Sequence, residues 1–322
     1  MRSVRKLFLR MWSEREKRKK REEKAEPNGR QDKNYPINID DKFLETKCDP
    51  FKKEESQFQE TKPKKKGKFT EFCRNAFCKF FCCMSHDSSD SQRREIKREK
   101  EAWASSSSHP HVVTLLGCFK TNTSFCFVSD YVDGPDLTNY LETNGRLGEI
   151  QAKLIASQVA SAIMFIHNKG IIHRDISSSN IMLDKTKGAQ LIDFGLCTFE
   201  PNPTEFCGTL FYLCPEILQG RPYDAYCDWW SFGTVLYEML IGKTPLDIYL
   251  EKMQADINLF SLIDMINIAQ NMDLVYPSDL LLSTDAKLII EDLLQRDRNN
   301  RFSETDISTH MYFDGVPWPE LV

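Results

Sequence analysis

The chain has 322 residues, 41% of them hydrophobic and 28% charged, with a formal net charge of −4; that length suits one domain of two lobes plus a tail, with ample core. Its eleven cysteines sit mostly among aromatic or aliphatic neighbours with no secretion signal ahead of them, so they read as reduced thiols of a cytosolic protein rather than a disulfide framework. No run approaches the roughly 18–20 consecutive apolar residues of a membrane span.

The charge is unevenly spread. Residues 1–24 carry eleven Lys or Arg against four acidic residues, a local charge of +7. Val4, Leu7, Phe8 and Met11 recur there at helical spacing, so residues 1–26 read as a basic amphipathic tail. Such a tail lies on an anionic membrane surface or docks in a helix-binding groove, and its Lys17–Arg21 run also suits nuclear import. The plain alternative is a solvated, partly helical tail. Residues 27–61 are rich in Asp, Lys, Asn, Glu and Gln without a steady period; they read as linker or disorder, with one docking element at 51–58. Cys73, Cys78, Cys82 and Cys83 lack the paired spacing of a zinc site and are separated largely by Phe, which favours a buried strand.

Residues 93–103 have helical character and Ser105–Ser108 reads as a loop. SFCFVSDYVDG follows as a strand. LIASQVASAIMFIHN (154–168) has the apolar spacing of a buried helix, closed by Gly170 and followed by a strand, and CDWWSFGTVLYEMLIG reads as a central buried helix. The stretch 250–275 is long and apolar enough for an extra helical turn or a partner surface, and 281–294 is amphipathic.

Between those helices, residues 171–216 hold three ordered motifs. HRDISSSN carries Asp175 and, five residues on, Asn180; LIDFGLC carries Asp193, Phe194 and Gly195; EFCGTLFYLCPE ends on Glu216. Phosphoryl transfer needs this set: a carboxylate to orient a hydroxyl, an amide and a second carboxylate to hold metal, and a structured segment to receive a peptide. The sequence resembles the eukaryotic protein kinases, within them the basophilic Ser/Thr (cyclic-nucleotide/lipid-regulated) group, and most the serum- and glucocorticoid-regulated kinases. The resemblance is strong over residues 109–318.

It implies an α+β, two-lobed fold: a divergent, β-rich small lobe over 62–132 and a large helical lobe over 133–318. It implies ATP with Mg²⁺ or Mn²⁺, held by Asn180 and Asp193, and Asp175 as the group that receives the proton of the substrate hydroxyl. Arg174 and Thr209 join Asp175 in the catalytic set. Ser177 stands where Ser/Thr kinases place a lysine on the transferring phosphate, so the loop keeps its base and loses a cation. For the nucleotide, the resemblance points to Gly67 of an eroded glycine hairpin, to Lys79 paired with Glu99, and to the hinge residues Asp130 and Val132 behind the small residue Ser129. Lys79 otherwise reads as a solvated lysine, and Glu101 competes with Glu99. Trp103, Leu115, Phe194 and His173 match a stacked hydrophobic column, with Trp103 large enough to overpack it.

Glu205 stands in the place of the family's activating phosphothreonine, facing Arg174; the other reading is a solvated loop acid. Asp228 matches the acceptor of catalytic-loop N–H groups, and Arg301 the partner of Glu216. Asp136, grouped with the nucleotide residues, and Glu238 match acids that favour arginine upstream of the target, whereas Ser179 stands in a third such place. The expected partners are therefore protein substrates with upstream basic residues, and no specific nucleic acid. The expected location is cytoplasmic, nuclear or peripheral to a membrane. Two functions follow: a Ser/Thr kinase of modest activity, or a pseudokinase acting as a regulatory or scaffold module.

Overall fold

A computed structural model describes residues 80–85, 90–120, 124–254, 260, 262–278 and 280–318. The readings for residues 1–26 and 27–61, for Cys73 and Cys78, and for Gly67 and Lys79 lie outside them.

Strand β1 (Phe80–Ser85) leads to helix α1 (Asp90–Ser106) and the strands β2 (Leu115–Lys120) and β3 (Ser124–Ser129). All three strands pair antiparallel in the order β1-β3-β2. Ile96, Glu99, Ala102 and Trp103 share the buried face of α1, at the spacing of successive helical turns. Where a loop is expected at Ser105–Ser108, the helix runs on through Ser106. The reason is chemical: Ser105 and Ser106 donate their hydroxyls to the Ala102 carbonyl and Ser107 donates to that of Trp103, which satisfies carbonyls a helix end would leave open.

The large lobe opens with α2 (Leu137–Asn144) and α3 (Glu149–Asn168). By length and composition α3 passes as a membrane span, but most of its side chains are buried in the core, and it lies against the hairpin that follows and the central helix. The strand expected after Gly170 shrinks to a single bridge between Ile172 and Thr198, because Arg174 turns the chain out of extended conformation at φ 68°. The hairpin β4 (Ile181–Asp184) and β5 (Gly188–Leu191) pairs antiparallel and reaches the small lobe: Val113 N–H donates to the Leu191 carbonyl (3.0 Å) and Leu191 N–H to that of His111 (2.8 Å).

After the short α4 (Pro215–Leu218) comes α5 (Tyr226–Ile241), buried at every position from Cys227 to Leu240. A helix buried on every face has to sit at the centre of its lobe, and each Leu, Val or Phe it buries contributes about 1.5–3 kcal/mol. Around it lie α6 (Pro245–Lys252), capped by Thr244, then α7 (Leu262–Asn271), α8 (Thr284–Leu293) and α9 (Glu304–Thr309). The expected helix at 281–294 starts later, where the Ser283 hydroxyl accepts the Ala286 N–H, and leaves Leu281 98% exposed.

Candidate active site

The loop between α3 and β4 is pinned by fully buried Ile171, Ile176 and Ile181. Asp228, at the start of α5, holds it from below. Its Oδ2 accepts the His173 N–H and His167 Nε2, and its Oδ1 the Arg174 N–H, each at 2.8 Å. Burial works against the Asp228 charge, yet the His167 bond and the loop donors outweigh it and keep the pKa below the ordinary value. Arg174 and Asp193 adopt φ of 68° and 66°, a region costly for residues with a Cβ; fixed partners hold them there.

Arg174 spends its side chain on the segment that follows Asp193. Its Nε donates to the Leu196 carbonyl (2.5 Å), and Nη1 donates to Glu205 Oε2 (2.8 Å) and the Tyr223 hydroxyl (3.2 Å). The Arg174 bond lowers the Glu205 pKa, so Glu205 is a charged partner here. Tyr223 in turn donates to the Glu205 carbonyl (2.8 Å). Downstream, Arg301 Nη2 donates to Glu216 Oε1 (2.8 Å) with its guanidinium over the Trp230 ring.

Asp175 lies at the convergence. Oδ1 accepts both the N–H (2.8 Å) and the hydroxyl (2.7 Å) of Thr209, and Oδ2 accepts Asn180 Nδ2 (2.7 Å). Thr209 reaches it because Gly208, at φ 107°, passes so close to the loop that a Cβ there would lie 2.5 Å from the Arg174 carbonyl oxygen. The Asn180 amide also donates to the Asp175 carbonyl (2.9 Å), so its NH₂ is committed and its Oδ1 remains as an acceptor. Asp193 is exposed and gives one oxygen to the Gly195 N–H (3.1 Å); Ile192 N–H, bound to the Asn180 carbonyl (3.0 Å), brings the two donors together. Two hard oxygen donors fit a magnesium-like ion that takes its other ligands from phosphate and water. Among the described residues no group of three or more His, Cys, Asp or Glu offers an all-protein cage.

Phe194 lies between Trp103, on which it stacks (6.3 Å between centroids), and His173, which it meets edge-on (5.2 Å); Leu115 is buried in the same core. Trp103 is accommodated without a stranded polar group, since its Nε1 donates to the Val113 carbonyl (2.6 Å). Glu99 is buried within 4.0 Å of the Cβ position at Gly195, whereas Glu101 faces solvent. Burial first, and then Asp193, push the Glu99 pKa up to about 7.

At the hinge, buried Ser129 donates to the Asp130 carbonyl (3.1 Å), and Val132 is buried beside it. Asp133 N–H donates to Asp184 Oδ2 (2.9 Å), and Gly134 sits so tightly that a Cβ there would meet the Leu183 carbonyl oxygen at 1.8 Å.

Two further site residues lie in the interior. Ser177 is fully buried with its hydroxyl bonded to that of Ser179 (2.9 Å), so it touches neither Asp175 nor Thr209 by a hydrogen bond. Glu238 is 2% exposed and accepts from Tyr212 (2.6 Å) and Ser178 (3.2 Å). Asp136 does face outward in part, but it caps α2 by accepting the Asn139 N–H (2.8 Å). Sequence reasoning missed Tyr223, Gly134, His167 and Ser178. No spacing signals Tyr223; the glycine after the hinge and a histidine one turn from the catalytic loop were visible cues for Gly134 and His167.

The protein kinase domain family matches residues 72–313, three quarters of the chain. The chain belongs to the protein kinase family. Serine/threonine-protein kinase Sgk1 of Danio rerio is 36% identical over 242 residues, covering 71% of this kinase chain and 52% of the relative. Sgk1 of Xenopus tropicalis is 34% identical over 243 residues, covering 72% and 54%. A putative protein kinase C delta type homolog of Drosophila melanogaster is 32% identical over 229 residues, covering 68% and 32%. The kinase chain thus spans about half the length, or less, of the curated relatives it matches.

Proposed function

We propose that this chain is a serine/threonine protein kinase that transfers the γ-phosphate of ATP to a protein hydroxyl. One observation carries the reading: Asp175 is held by Thr209 and Asn180, beside the oxygen donors of Asn180 and Asp193. Asp175 orients the incoming hydroxyl and takes its proton as the new O–P bond forms and the bond to ADP breaks. Asn180 Oδ1 and Asp193 would hold a divalent cation, Mg²⁺ or Mn²⁺, which supplies neutralisation of phosphate charge when bound. The relatives carry Ser/Thr kinase names, and Thr209 on the catalytic carboxylate supports the same substrate class.

The activity is modest, because Ser177 leaves the transferring phosphate without the cation that electrostatic stabilisation calls for. Glu205 on Arg174 supplies a fixed negative charge in the segment that other kinases order by phosphorylation. A preference for basic residues upstream of the acceptor rests on Asp136 and Glu238, and is blunted by Ser179. Residues 1–24 add a basic surface for an anionic membrane or a helix-binding partner.

The rival is a pseudokinase, favoured by the same buried Ser177. A radiolabelled phosphotransfer assay on mixed basic peptides separates the two when Asp175→Asn is run alongside. Transfer that disappears in the variant supports the kinase. Mg-ATP binding by thermal shift without any transfer supports the pseudokinase and overturns the enzyme reading.

A further inference from the structure

The hairpin β4–β5 serves the nucleotide site at both of its ends. Asn180 directly precedes β4 and Asp193 lies two residues after β5, joined by the Ile192 N–H on the Asn180 carbonyl. At the opposite end is the turn from Asp184 to Gly188. The hinge segment runs beside β4 as a short third strand. Asp136 bridges Met182, Leu183 N–H donates to the Pro135 carbonyl (2.9 Å), and Lys185 N–H donates to that of Asp133 (3.3 Å). The four residues of β4 therefore hold the metal donors and the far hinge contact on the order of 13 Å apart, the scale of an extended nucleoside triphosphate.

The Asp184 carboxylate has two separate tasks. Oδ1 closes the turn, accepting the N–H of Thr186 (2.8 Å), the N–H of Lys187 (2.9 Å) and the Thr186 hydroxyl (2.8 Å). Oδ2 reaches across to the hinge and accepts the Asp133 N–H (2.9 Å). Burial works against the Asp184 charge, yet the bonds from Lys187, Thr186 and Asp133 outweigh it and hold its carboxyl well below the ordinary value. The hinge bond is thus charge-assisted, which makes it stronger than a bond between neutral groups. The ion pairs Lys185–Asp133 and Lys187–Asp130 on the same turn are exposed and add little.

This capture fixes where the neighbouring residue points. Asp133 turns both its peptide groups to the hairpin, the N–H to Asp184 and the carbonyl to Lys185. Along an extended chain successive residues turn these groups to opposite sides, so Val132 turns its own away from the hairpin. Among the described residues neither the N–H nor the carbonyl of Val132 has a backbone partner. Val132 is 6% exposed, and buried peptide groups call for partners. The donor and acceptor that sit side by side on an adenine edge match this pair.

We infer that Asp184 is a positioning residue for the nucleotide base: through Asp133 it aims the Val132 peptide groups at adenine, at a set distance from Asn180 and Asp193. This step rests on the proposed ATP binding and not on phosphate transfer.

Asp184→Asn separates the two tasks. Its remaining oxygen stays at the turn, where three donors converge, and its NH₂ then faces the Asp133 N–H, donor against donor. Calorimetry on the full chain with adenosine, Mg-ATP and Mg-tripolyphosphate reads the effect. Adenosine and Mg-ATP should each bind about three- to tenfold more weakly, the range of one hydrogen bond, and Mg-tripolyphosphate should bind as before. Thr186→Val, which removes one bond of the turn and none of the hinge, should lower the melting temperature and leave adenosine affinity alone. An equal loss on all three probes, or unchanged adenosine affinity in Asp184→Asn, overturns the inference. A second readout needs no nucleotide: amide exchange across 131–134 should quicken in Asp184→Asn and not in Thr186→Val. Unchanged exchange overturns the hinge contact as a constraint. Should Asp184→Asn not fold, Asp133→Pro, which deletes the donor itself, should give the same split between base and phosphates. A parent chain that shows the split yet transfers no phosphate overturns the enzyme reading and supports this one; a parent that binds no adenosine overturns this one.

Discussion

Replacing Asp228 with asparagine keeps the shape of the side chain and removes an acceptor. In the parent, Oδ2 serves His167 and His173 while Oδ1 serves the Arg174 N–H, all at 2.8 Å and with Asp228 fully buried. The amide NH₂ has to take one of those places. The lesser loss puts it at Oδ1, where it faces the Arg174 N–H, donor against donor. One buried donor left unmade costs about 1–3 kcal/mol, and the bonds that remain lose their charge assistance, for a total of about 3–5 kcal/mol. For a domain of this size the melting temperature should drop on the order of 10 °C. The pH dependence follows from the lowered Asp228 pKa. Its stabilisation is present above the ordinary value of 3.8 and is lost as pH falls through the folded value. Parent and variant should therefore differ most near neutrality and converge in acid. Thermal and urea unfolding from neutral pH into acid measures both. A difference below about 1 kcal/mol at neutral pH would mean that the three bonds do not hold the loop. A difference that persisted undiminished in acid would mean that charge is not their source.

Three further substitutions probe neighbouring parts. Glu205→Ala should cost only about 0.2–1 kcal/mol, since the Glu205 side chain is 62% exposed and Arg174 keeps Tyr223 and Leu196. Amide exchange across 199–206 should nonetheless rise and kcat fall, and equal protection with and without the carboxylate would reduce Glu205 to a solvated acid. Ser177→Lys should raise kcat roughly tenfold to hundredfold while lowering the melting temperature, because a long cation enters a fully buried position. Asp175→Asn in that background should abolish the gain; normal Mg-ATP binding with no transfer would show that the missing cation is not what limits the chain. Gly134→Ala places a Cβ 1.8 Å from the Leu183 carbonyl oxygen, so the hinge must move, at about 1–3 kcal/mol or more. Calorimetry should find weaker ATP binding, and unchanged affinity with an unchanged melting temperature would contradict the close packing.

The sequence alone was enough to place what depends on local spacing. Asp175 and Asn180 lie five residues apart in one loop, so their meeting at 2.7 Å needs little beyond that loop's own turn. The mostly apolar run of α5 announced a central helix, and the family resemblance implied the roles of Glu216, Asp228 and Arg301 in tying the large lobe together. Tertiary structure alone decided what depends on which face turns inward. Glu99 and Glu101 are near neighbours on α1, and only the packing of Trp103 and Phe194 shows that Glu99 is the buried one. Ser178 meets Tyr212 across 34 residues, Thr138 across 40 and Glu238 across 60. No period or motif encodes such pairs, because a hydroxyl's partner is chosen by the three-dimensional position of the other acceptors once water is gone. For the same reason the burial of Glu238 against Tyr212 and Ser178 could not be read from the sequence.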